Sequence, residues 1–343
     1  MDISSSFHPF KTVYSYTFSE IREVRSRIYG SRAVDLGLMR AIYPEGGLDR
    51  LHEPIIDQLI EYNRSSLPAL SGFTYRYPTA GSEEGIREVM TRLSTEGVGQ
   101  IHVLQGEYEG YKAVAETRGI KTTELPQDFD PKDIASGSYW FISNPSARDG
   151  RIIPDEYINA ICEAGHYIFY DLAYLNSTAP HTYDLSHPNI IASVISFSKP
   201  YGLFYDRIGF AFSRTPAPAL YGNKWFKNIP SLLLAQELMK TIEPGFLYKK
   251  YRPVQEQIVG EINMLYDLGM QVSDPLLLAF IKNAQSLNGK QKNMIAPFKR
   301  GDGYRFCLTP YYFERDPQYE EIKTALAAIA GYVRSEKGVK NAD

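Results

Sequence analysis

A lysine with two serines and an arginine near it is the group in this chain best suited to do chemistry. Lys199 follows Ser196 and Ser198, and Arg207 comes eight residues later. Hydroxyls and a guanidinium group bind phosphate well, because both donate hydrogen bonds to anionic oxygens. A partly desolvated lysine amine attacks carbonyl groups and forms a Schiff base. The segment predicts a carbonyl-binding lysine beside an anion site, and a strand that simply ends in polar residues is the alternative.

Two further polar side chains stand at a spacing that fits a repeating β-α-β unit. Asn144, Asp171 and Lys199 each follow a short apolar run, at separations of 27 and 28 residues. A β-α-β unit takes roughly 30 residues, so the three side chains are expected at equivalent strand ends. Open α/β sheets bind their ligands at the carboxyl ends of the strands. We therefore expect these three residues to line one site.

These residue types suit one cofactor, pyridoxal phosphate. A carboxylate such as Asp171 keeps a pyridine nitrogen protonated, which makes the ring an electron sink. Asn144 and Tyr174 can donate hydrogen bonds to a ring oxygen and so tune the acidity of a neighbouring Schiff base. Each residue alone also has a structural interpretation, since Asp171 can cap a turn, Asn144 can belong to a loop and Tyr174 can be core.

Two upstream segments could complete such a site. Gly81 and Ser82 open a helical pattern whose free backbone N–H groups can bind a phosphate, although Glu83 and Glu84 suit an ordinary first turn equally well. Tyr108 follows the next predicted strand. Its ring could stack on a cofactor ring, and a purely packing role is the alternative.

Short apolar runs alternate with helical patterns through the middle of the chain, which predicts an α/β fold with a mostly parallel sheet. The predicted strands cover residues 101–104, 138–143, 167–170, 190–198 and 208–213. The last of them should be antiparallel, because its connection from Lys199 is too short for a crossover helix. The predicted helices cover residues 111–117, 154–164, 224–241 and 254–268.

The chain should divide into two domains. Residues 46–253 are predicted to form a large three-layer domain around the parallel sheet. Residues 1–45 and 254–343 are predicted to form a smaller α+β domain, with strands at 276–280 and 303–308 and a last helix at 319–335.

Composition narrows the classes of function. The 343 residues are 43% hydrophobic, which is enough for a sizeable core, and the net charge of -3 provides no basic excess for binding nucleic acid. No apolar run approaches the roughly 20 residues that span a bilayer, and no signal-peptide pattern begins the sequence. Two cysteines cannot form a disulfide framework. We expect a cytoplasmic protein without membrane or nucleic-acid partners.

Taken in order, the motifs resemble those of the class I/II aminotransferases, a group of fold type I pyridoxal-phosphate enzymes. Asn144 and Pro145 with Gly150 resemble an N-P-x-x-x-x-G turn, and residues 171–174 resemble a D-x-A-Y motif. Residues 196–199 resemble S-x-S-K, with Arg207 at the position of a following arginine. The resemblance implies the fold type I architecture, bound pyridoxal 5'-phosphate and a homodimer with shared active sites.

The resemblance also implies a role for each residue. Lys199 would form the Schiff base and carry protons, Asp171 would pair with the pyridine nitrogen, and Asn144 and Tyr174 would bind the ring hydroxyl. The phosphate would be held by a set of five residues, and Tyr108 would stack on the ring. The phosphate-binding set is Gly81, Ser82, Ser196, Ser198 and Arg207.

Three further roles and two departures come from the same resemblance. Tyr77 is similar to a tyrosine that reaches the phosphate of a neighbouring subunit in some members, although here it nearly adjoins Gly81. Arg305 resembles an arginine that binds the substrate α-carboxylate, and Asn144 is expected near the same substrate. Glu107 stands where a proline is common. No metal ligand is assigned.

The predicted function is amino-group transfer from an α-amino acid to a 2-oxo acid. Elimination, decarboxylation, cyclisation or oxidation of an amino acid in a specialised biosynthetic pathway is the main alternative. A serine hydrolase using Ser196 and Lys199 is disfavoured, because the sequence lacks the S-D-N and K-T-G triplets of that class. A binding protein with a relict site is disfavoured because Lys199, Asp171 and Arg207 occur together.

Overall fold

A seven-stranded sheet forms the larger part of the fold. The computed structural model describes residues 7–32, 35, 50–321 and 323–324. The seven strands are β1 (Tyr75–Thr79), β2 (Gln100–Leu104), β3 (Lys121–Leu125), β4 (Tyr139–Ser143), β5 (Tyr167–Leu172), β6 (Ile190–Ser196) and β7 (Gly209–Ser213). Their spatial order is β1-β7-β6-β5-β4-β2-β3.

Most of this sheet is parallel, as predicted. The strands β6, β5, β4, β2 and β3 pair in parallel, and β7 is antiparallel to both β6 and β1. Ser143 pairs with Asp171, and Asp171 pairs with Val194, so the ends of β4, β5 and β6 lie side by side. This register brings the residues after three strands to one edge of the sheet.

Nine helices of the described residues surround the two sheets. They are α1 (Ser19–Tyr29), α2 (Glu53–Tyr62), α3 (Ser82–Thr95), α4 (Glu109–Thr117), α5 (Asp155–Glu163), α6 (Ile229–Thr241), α7 (Phe246–Tyr266), α8 (Gly289–Ile295) and α9 (Thr309–Glu314). Among the described residues, none of these helices is both long and apolar enough to cross a membrane.

Both faces of the large sheet are buried, which explains why its strands are apolar runs without alternation. Ile168 and Tyr170 of β5 join the core on the face covered by α2, α5 and α6. Phe169, between them, points to the opposite core under α3 and α4. Because both faces of β5 are apolar, we expect this strand away from the sheet edges. It lies in the middle of the sheet.

A four-stranded antiparallel sheet forms the smaller part. It contains β8 (Gln271–Val272), β9 (Leu278–Ile281), β10 (Lys299–Arg300) and β11 (Gly303–Cys307), in the order β10-β11-β9-β8. Phe10 pairs with Cys307, so the N-terminal segment contacts this sheet. The long helix α7 connects the two sheets.

Several boundaries differ from the sequence prediction. Helix α7 begins at Phe246 and contains Pro253 inside it, whereas the predicted helix began just after that proline. The predicted domain boundary at 253/254 therefore falls within α7. The predicted strand 190–198 ends at Ser196. The predicted last helix, residues 319–335, lies largely outside the described residues.

The two strands of the large sheet that sequence patterns missed, β1 and β3, are both at its edges. β1 contains Pro78, which cannot donate a ladder hydrogen bond and is therefore tolerated at an edge. β3 reads Lys-Thr-Thr-Glu-Leu and is mostly accessible. Polar edge strands lack the apolar run by which the buried strands are recognised.

Close packing at Gly85 fixes the first helix of the site, α3, against β6. A methyl group at Gly85 would overlap the side chain of Val194. We expect Gly85→Ala to lower the free energy of unfolding by about 1–3 kcal/mol through overpacking. Gly260→Ala, at an uncrowded position of α7, should instead raise it by about 0.5–1 kcal/mol, because alanine favours helix.

Urea unfolding of both variants measures these changes. If the contact with Val194 is the cause, Gly85→Ala should cost less in a Val194→Ala background than in the native chain. An equal cost in both backgrounds would contradict this packing argument.

Candidate active site

A cleft of about 460 Å³ lies at the carboxyl edge of the large sheet and is also bordered by the small sheet. Most of the residues that the sequence singled out contribute to it. The predicted residues that line the cleft are Ser82, Tyr108, Asp171, Tyr174, Ser196, Ser198, Lys199, Arg207 and Arg305. Residues that sequence reasoning missed also line it, including Lys11, Glu83, Ser143, Ala147, Phe204 and Arg300.

Lys199 lies just beyond β6 and faces two aromatic rings. Its Nζ atom is 4.2 Å from the centroid of the Tyr174 ring and 5.8 Å from that of Tyr108. The backbone before it is fixed, because the Phe197 N–H donates to Ile208. The amine is therefore held in the cleft, next to ring faces that stabilise a positive charge.

Asp171 is buried at the end of β5 and accepts two hydrogen bonds. The Tyr111 hydroxyl donates at 2.9 Å and the Ala173 N–H at 3.0 Å. Burial raises the pKa of the Asp171 carboxyl, while the charge of Lys199 and the Tyr111 hydrogen bond offset part of that rise. The site thus holds a carboxyl group whose ionised form a nearby cation stabilises.

The predicted anion site surrounds the start of α3. Gly81 precedes this helix with φ +82°, and Arg207 Nη2 donates to the Ala80 carbonyl at 2.6 Å. A Cβ atom at Gly81 would stand 2.6 Å from that Nη2 atom, so a larger residue would displace the guanidinium from this position. Ser198 Oγ is buried without a hydrogen-bond partner. Free helix N–H groups, a guanidinium and a hydroxyl converge here.

Acidic side chains border the same end of the cleft. Glu83 lies in the first turn of α3 and accepts a hydrogen bond from the Tyr108 hydroxyl at 3.1 Å. Burial and the nearby Glu83 raise the pKa of Tyr108. A Cβ atom at Gly110 would collide with the Tyr108 ring, which therefore packs directly on the α4 backbone. The ring orientation is fixed by these contacts.

A buried glutamate, Glu107, joins the loops after β2 and β4. The hydroxyls of Ser143 and Ser146 both donate to its carboxylate. Burial raises the pKa of Glu107, and the two serine hydrogen bonds oppose the rise. The only feature of the sequence that drew attention to Glu107 was its position where the resembling family commonly has a proline. Glu107 lies behind the wall of the cleft.

Two arginines enter the cleft from the small sheet. Arg305 is buried and donates to the Ala147 carbonyl and, at 3.3 Å, to that of Lys11. Burial lowers the pKa of the Arg305 guanidinium. Arg300 pairs with Glu109 at 2.6 Å and also donates to two carbonyls of the loop after β2. These contacts join the two sheets around the cleft.

The structure does not bring Asn144 to the cleft. Its amide nitrogen donates to the Ile153 carbonyl at 3.0 Å and to the Tyr170 hydroxyl at 2.6 Å, and its oxygen accepts from the Ile153 N–H. The side chain is completely buried on the far side of the loop. The expectation that Asn144 binds the ring hydroxyl or the substrate is therefore not met by this geometry.

Tyr77 also lies away from the position that the resemblance implied. It is a buried residue of β1 that packs in the core under α3, and its hydroxyl accepts a hydrogen bond from the Ala217 N–H at 3.2 Å. Residues of a strand alternate between faces, and this face is covered within the same chain. In this position Tyr77 packs within its own chain and does not line the cleft that contains Lys199.

The remaining residues fit pyridoxal phosphate. The hydroxyls of Tyr174 and Ser198 are buried, have no partner and belong to side chains that line the cleft. Buried hydroxyls are normally paired, so both lack an acceptor that a cofactor could provide. Tyr174 and Asp171 could hold the ring, and Ser198, Arg207 and the start of α3 could hold the phosphate.

The fold of this chain is similar to that of several solved structures, over most of the chain. The sequence matches no protein-family profile, and a search of curated proteins found no match. A solved structure assigned as a histidinol-phosphate aminotransferase, from Erwinia carotovora atroseptica, has a TM-score of 0.59 and 17% identity, covering 96% of this chain and 99% of that one.

Two other similar structures are of enzymes named for different reactions. The L-threonine-O-3-phosphate decarboxylase of Porphyromonas gingivalis has a TM-score of 0.58 and 14% identity, over 92% of this chain and 98% of that one. A pyridoxal-phosphate-bound C-S lyase of Staphylococcus hominis has a TM-score of 0.58 and 11% identity, over 74% of this chain and 77% of that one. With the mostly parallel sheet and its helices, these similarities show that the chain has the architecture of the fold type I pyridoxal-phosphate-dependent enzymes.

Proposed function

We propose that this protein is a pyridoxal-phosphate-dependent aminotransferase that acts on an α-amino acid and a 2-oxo acid. The observation that carries the proposal is the position of Lys199. Its amine lies in a cleft between two aromatic rings, with Asp171 on the neighbouring strand and Arg207 at the anion site. A cofactor with an aldehyde, a basic ring nitrogen and a phosphate matches these three groups in one cleft.

When bound, pyridoxal phosphate supplies a carbonyl that captures an amino group and a ring that accepts electrons from the substrate α-carbon. Lys199 would bind this carbonyl, and its amine would move a proton at the substrate α-carbon. Asp171 would keep the ring nitrogen protonated. Tyr108, held by its contacts with Glu83 and α4, would stack on the ring and exclude water from it.

Arg305 would orient the substrate. Its guanidinium is nearly inaccessible, yet it lines the cleft and retains a buried Nε–H without a partner. A carboxylate with two oxygens is the natural ligand for such a planar donor set. A free α-carboxylate bound there would hold the substrate in the cleft that Lys199 also lines.

The fold alone does not select the reaction, because its relatives include a decarboxylase and a C-S lyase. The test is to mix the protein and cofactor with single amino acids. Conversion to pyridoxamine phosphate with release of a 2-oxo acid supports transfer. Release of ammonia, sulfide or carbon dioxide instead would contradict it.

Loss of Lys199 should abolish covalent cofactor binding. We expect the native protein to become yellow with pyridoxal phosphate, through an absorption band that borohydride reduction fixes to the chain. Lys199→Ala should lack that band, and its turnover should be lower by at least about a hundredfold. Lys112→Ala, at an exposed lysine of α4, is the matched control and should keep both. A band that persists in Lys199→Ala would rule out this assignment.

The substitution Asp171→Asn should have opposite effects on thermal stability and on turnover. Because burial raises the pKa of this carboxyl in the cofactor-free protein, its contribution to stability is full below about pH 4 and is lost as pH rises through the raised folded pKa. Asp171→Asn avoids that loss. The cofactor-free variant should therefore gain thermal stability relative to the native protein at neutral pH but not at about pH 4.

With cofactor bound, the effect of Asp171→Asn should reverse. A neutral amide cannot hold the ring nitrogen in its protonated form, so turnover should fall on the order of a hundredfold. Thermal unfolding and single-turnover spectra measure the two effects. Equal stability differences at both pH values, or unchanged turnover, would contradict the role assigned to Asp171.

We also propose a homodimer that buries the aromatic surface beside Arg207. Phe226 and Tyr205 are 89% and 85% exposed, and Phe226 borders a cavity that Arg207 and Ala80 also line. A cluster of exposed aromatic side chains next to a binding site is typical of an interface. A second subunit would close the phosphate end of the cleft.

Phe226→Ser should weaken this dimer by about thirtyfold, equivalent to an interface residue worth about 2 kcal/mol. Sedimentation over a range of protein concentrations measures the dissociation constant. Met264→Ser is the control, because Met264 is 85% exposed on α7. A native protein that stays monomeric, or equal effects of both variants, would contradict the proposed interface.

A further inference from the structure

The short turn that carries Lys199 follows β6 and lies outside the regular sheet. It spans residues 198–202. The Tyr201 N–H donates to the Phe197 carbonyl at 3.3 Å, which closes the turn on itself. A turn has few backbone hydrogen bonds of its own, so its other carbonyl groups need donors from elsewhere in the chain. The position of Lys199 therefore depends on what packs against this turn.

The N-terminal segment supplies a hydroxyl donor to each end of the turn. The Ser15 hydroxyl donates to the Ser198 carbonyl, and the Thr17 hydroxyl donates to the Gly202 carbonyl at 2.7 Å. The first of these carbonyls belongs to the residue directly before Lys199, and the second comes three residues after it. The backbone on both sides of the lysine is thus bound to one segment.

The segment and the turn also contact each other backbone to backbone at Gly202. This glycine has φ +69°, a left-handed conformation that favours glycine. A Cβ atom there would overlap the Tyr16 carbonyl and stand 2.5 Å from the Thr17 Cα atom. The turn has no room to move toward the segment, and the two hydroxyl bonds resist movement away from it.

The segment is itself fixed where it meets the turn. Arg22 of α1 donates to the Thr17 carbonyl at 2.7 Å and pairs with Asp316 at 2.8 Å. The carboxylate of Asp316 also accepts a hydrogen bond from the Tyr16 hydroxyl, and this residue is buried. Hydrogen bonds to charged groups are stronger than neutral ones. The segment is therefore a firm support for the turn.

Resting on the proposed function, we propose that Ser15 and Thr17 are positioning residues, which hold the backbone around Lys199 so that its amine is placed for Schiff-base formation. In that step the amine nitrogen bonds to an aldehyde carbon, and the aldehyde oxygen leaves as water. Its rate depends on how often the amine is correctly placed. Neither Ser15 nor Thr17 lines the cleft, so both act through the turn.

Thr17→Val removes the hydroxyl and keeps the shape of the side chain. At saturating pyridoxal phosphate, we expect the first-order rate constant for growth of the visible band to fall about tenfold, the effect of one hydrogen bond on the placed state. Thr17→Ser keeps the hydroxyl and should restore a rate close to the native one. Ser15→Ala should slow the band in the same way, and it provides the test if Thr17→Val does not fold.

Thr309→Val is the control for a general loosening of the segment. It removes a similar hydrogen bond, in which the Thr309 hydroxyl donates to the Tyr14 carbonyl at 2.6 Å. Two backbone bonds between Phe10 and Cys307 also hold that end of the segment. This variant should lower the thermal stability but change the rate by less than about twofold. A slowing equal to that of Thr17→Val would overturn the proposal.

Hydrogen exchange in the cofactor-free protein measures the support without any cofactor chemistry. The Tyr201 N–H should exchange about tenfold faster in Thr17→Val and at nearly the native rate in Thr309→Val. Unchanged exchange at Tyr201, or an unchanged band rate in both Thr17→Val and Ser15→Ala, would overturn the inference. If the native protein forms no visible band at all, the proposed function fails, and exchange still shows whether Thr17 holds the turn.

Discussion

The burial of one carboxylate, Asp171, is the constraint on which the rest of the site depends. An ionised group without partners is costly in the protein interior, and its partners come from three places. Tyr111 from α4 and the Ala173 N–H donate hydrogen bonds, and Lys199 contributes a positive charge. These do not fully compensate, because burial still raises the pKa of the carboxyl. The site is thus prepared for a further cation, which a protonated ring nitrogen would provide.

The walls of the cleft depend on a second set of buried polar contacts. Glu107 binds Ser143 and Ser146 and so joins the loops after β2 and β4, while Arg305 fastens the second of these loops to the small sheet. Arg300 connects the small sheet to the loop after β2. Loss of one partner would leave the other buried and unpaired, so these contacts hold the two sheets in one arrangement around the cleft.

The sequence was sufficient to predict what depends on regular patterns. The buried strands β4, β5 and β6 are apolar runs bounded by polar residues, and their near-equal spacing placed Asp171 and Lys199 at one edge. Side-chain direction within an irregular loop has no such pattern. The loop of residues 143–150 turns Asn144 inward to the Ile153 backbone and presents Ala147 to the cleft, which no spacing rule specifies. Arg300 was missed for the same reason, since β10 is only two residues long.

The residues that the sequence predicted best are those proposed to bind the cofactor, whereas several residues that it missed border the space proposed for the substrate. Lys199 follows β6, Asp171 lies near the end of β5 and Arg207 precedes β7, so the regular sheet sets the separation of these residues, as the proposed cofactor would require. Ala147, Arg300 and Glu109 also border the cleft, where a substrate would bind, and they come from a loop, a short strand and a helix end. A change in these elements alters what the cleft accepts without moving the sheet. One architecture can therefore serve transfer, lyase and decarboxylase chemistry.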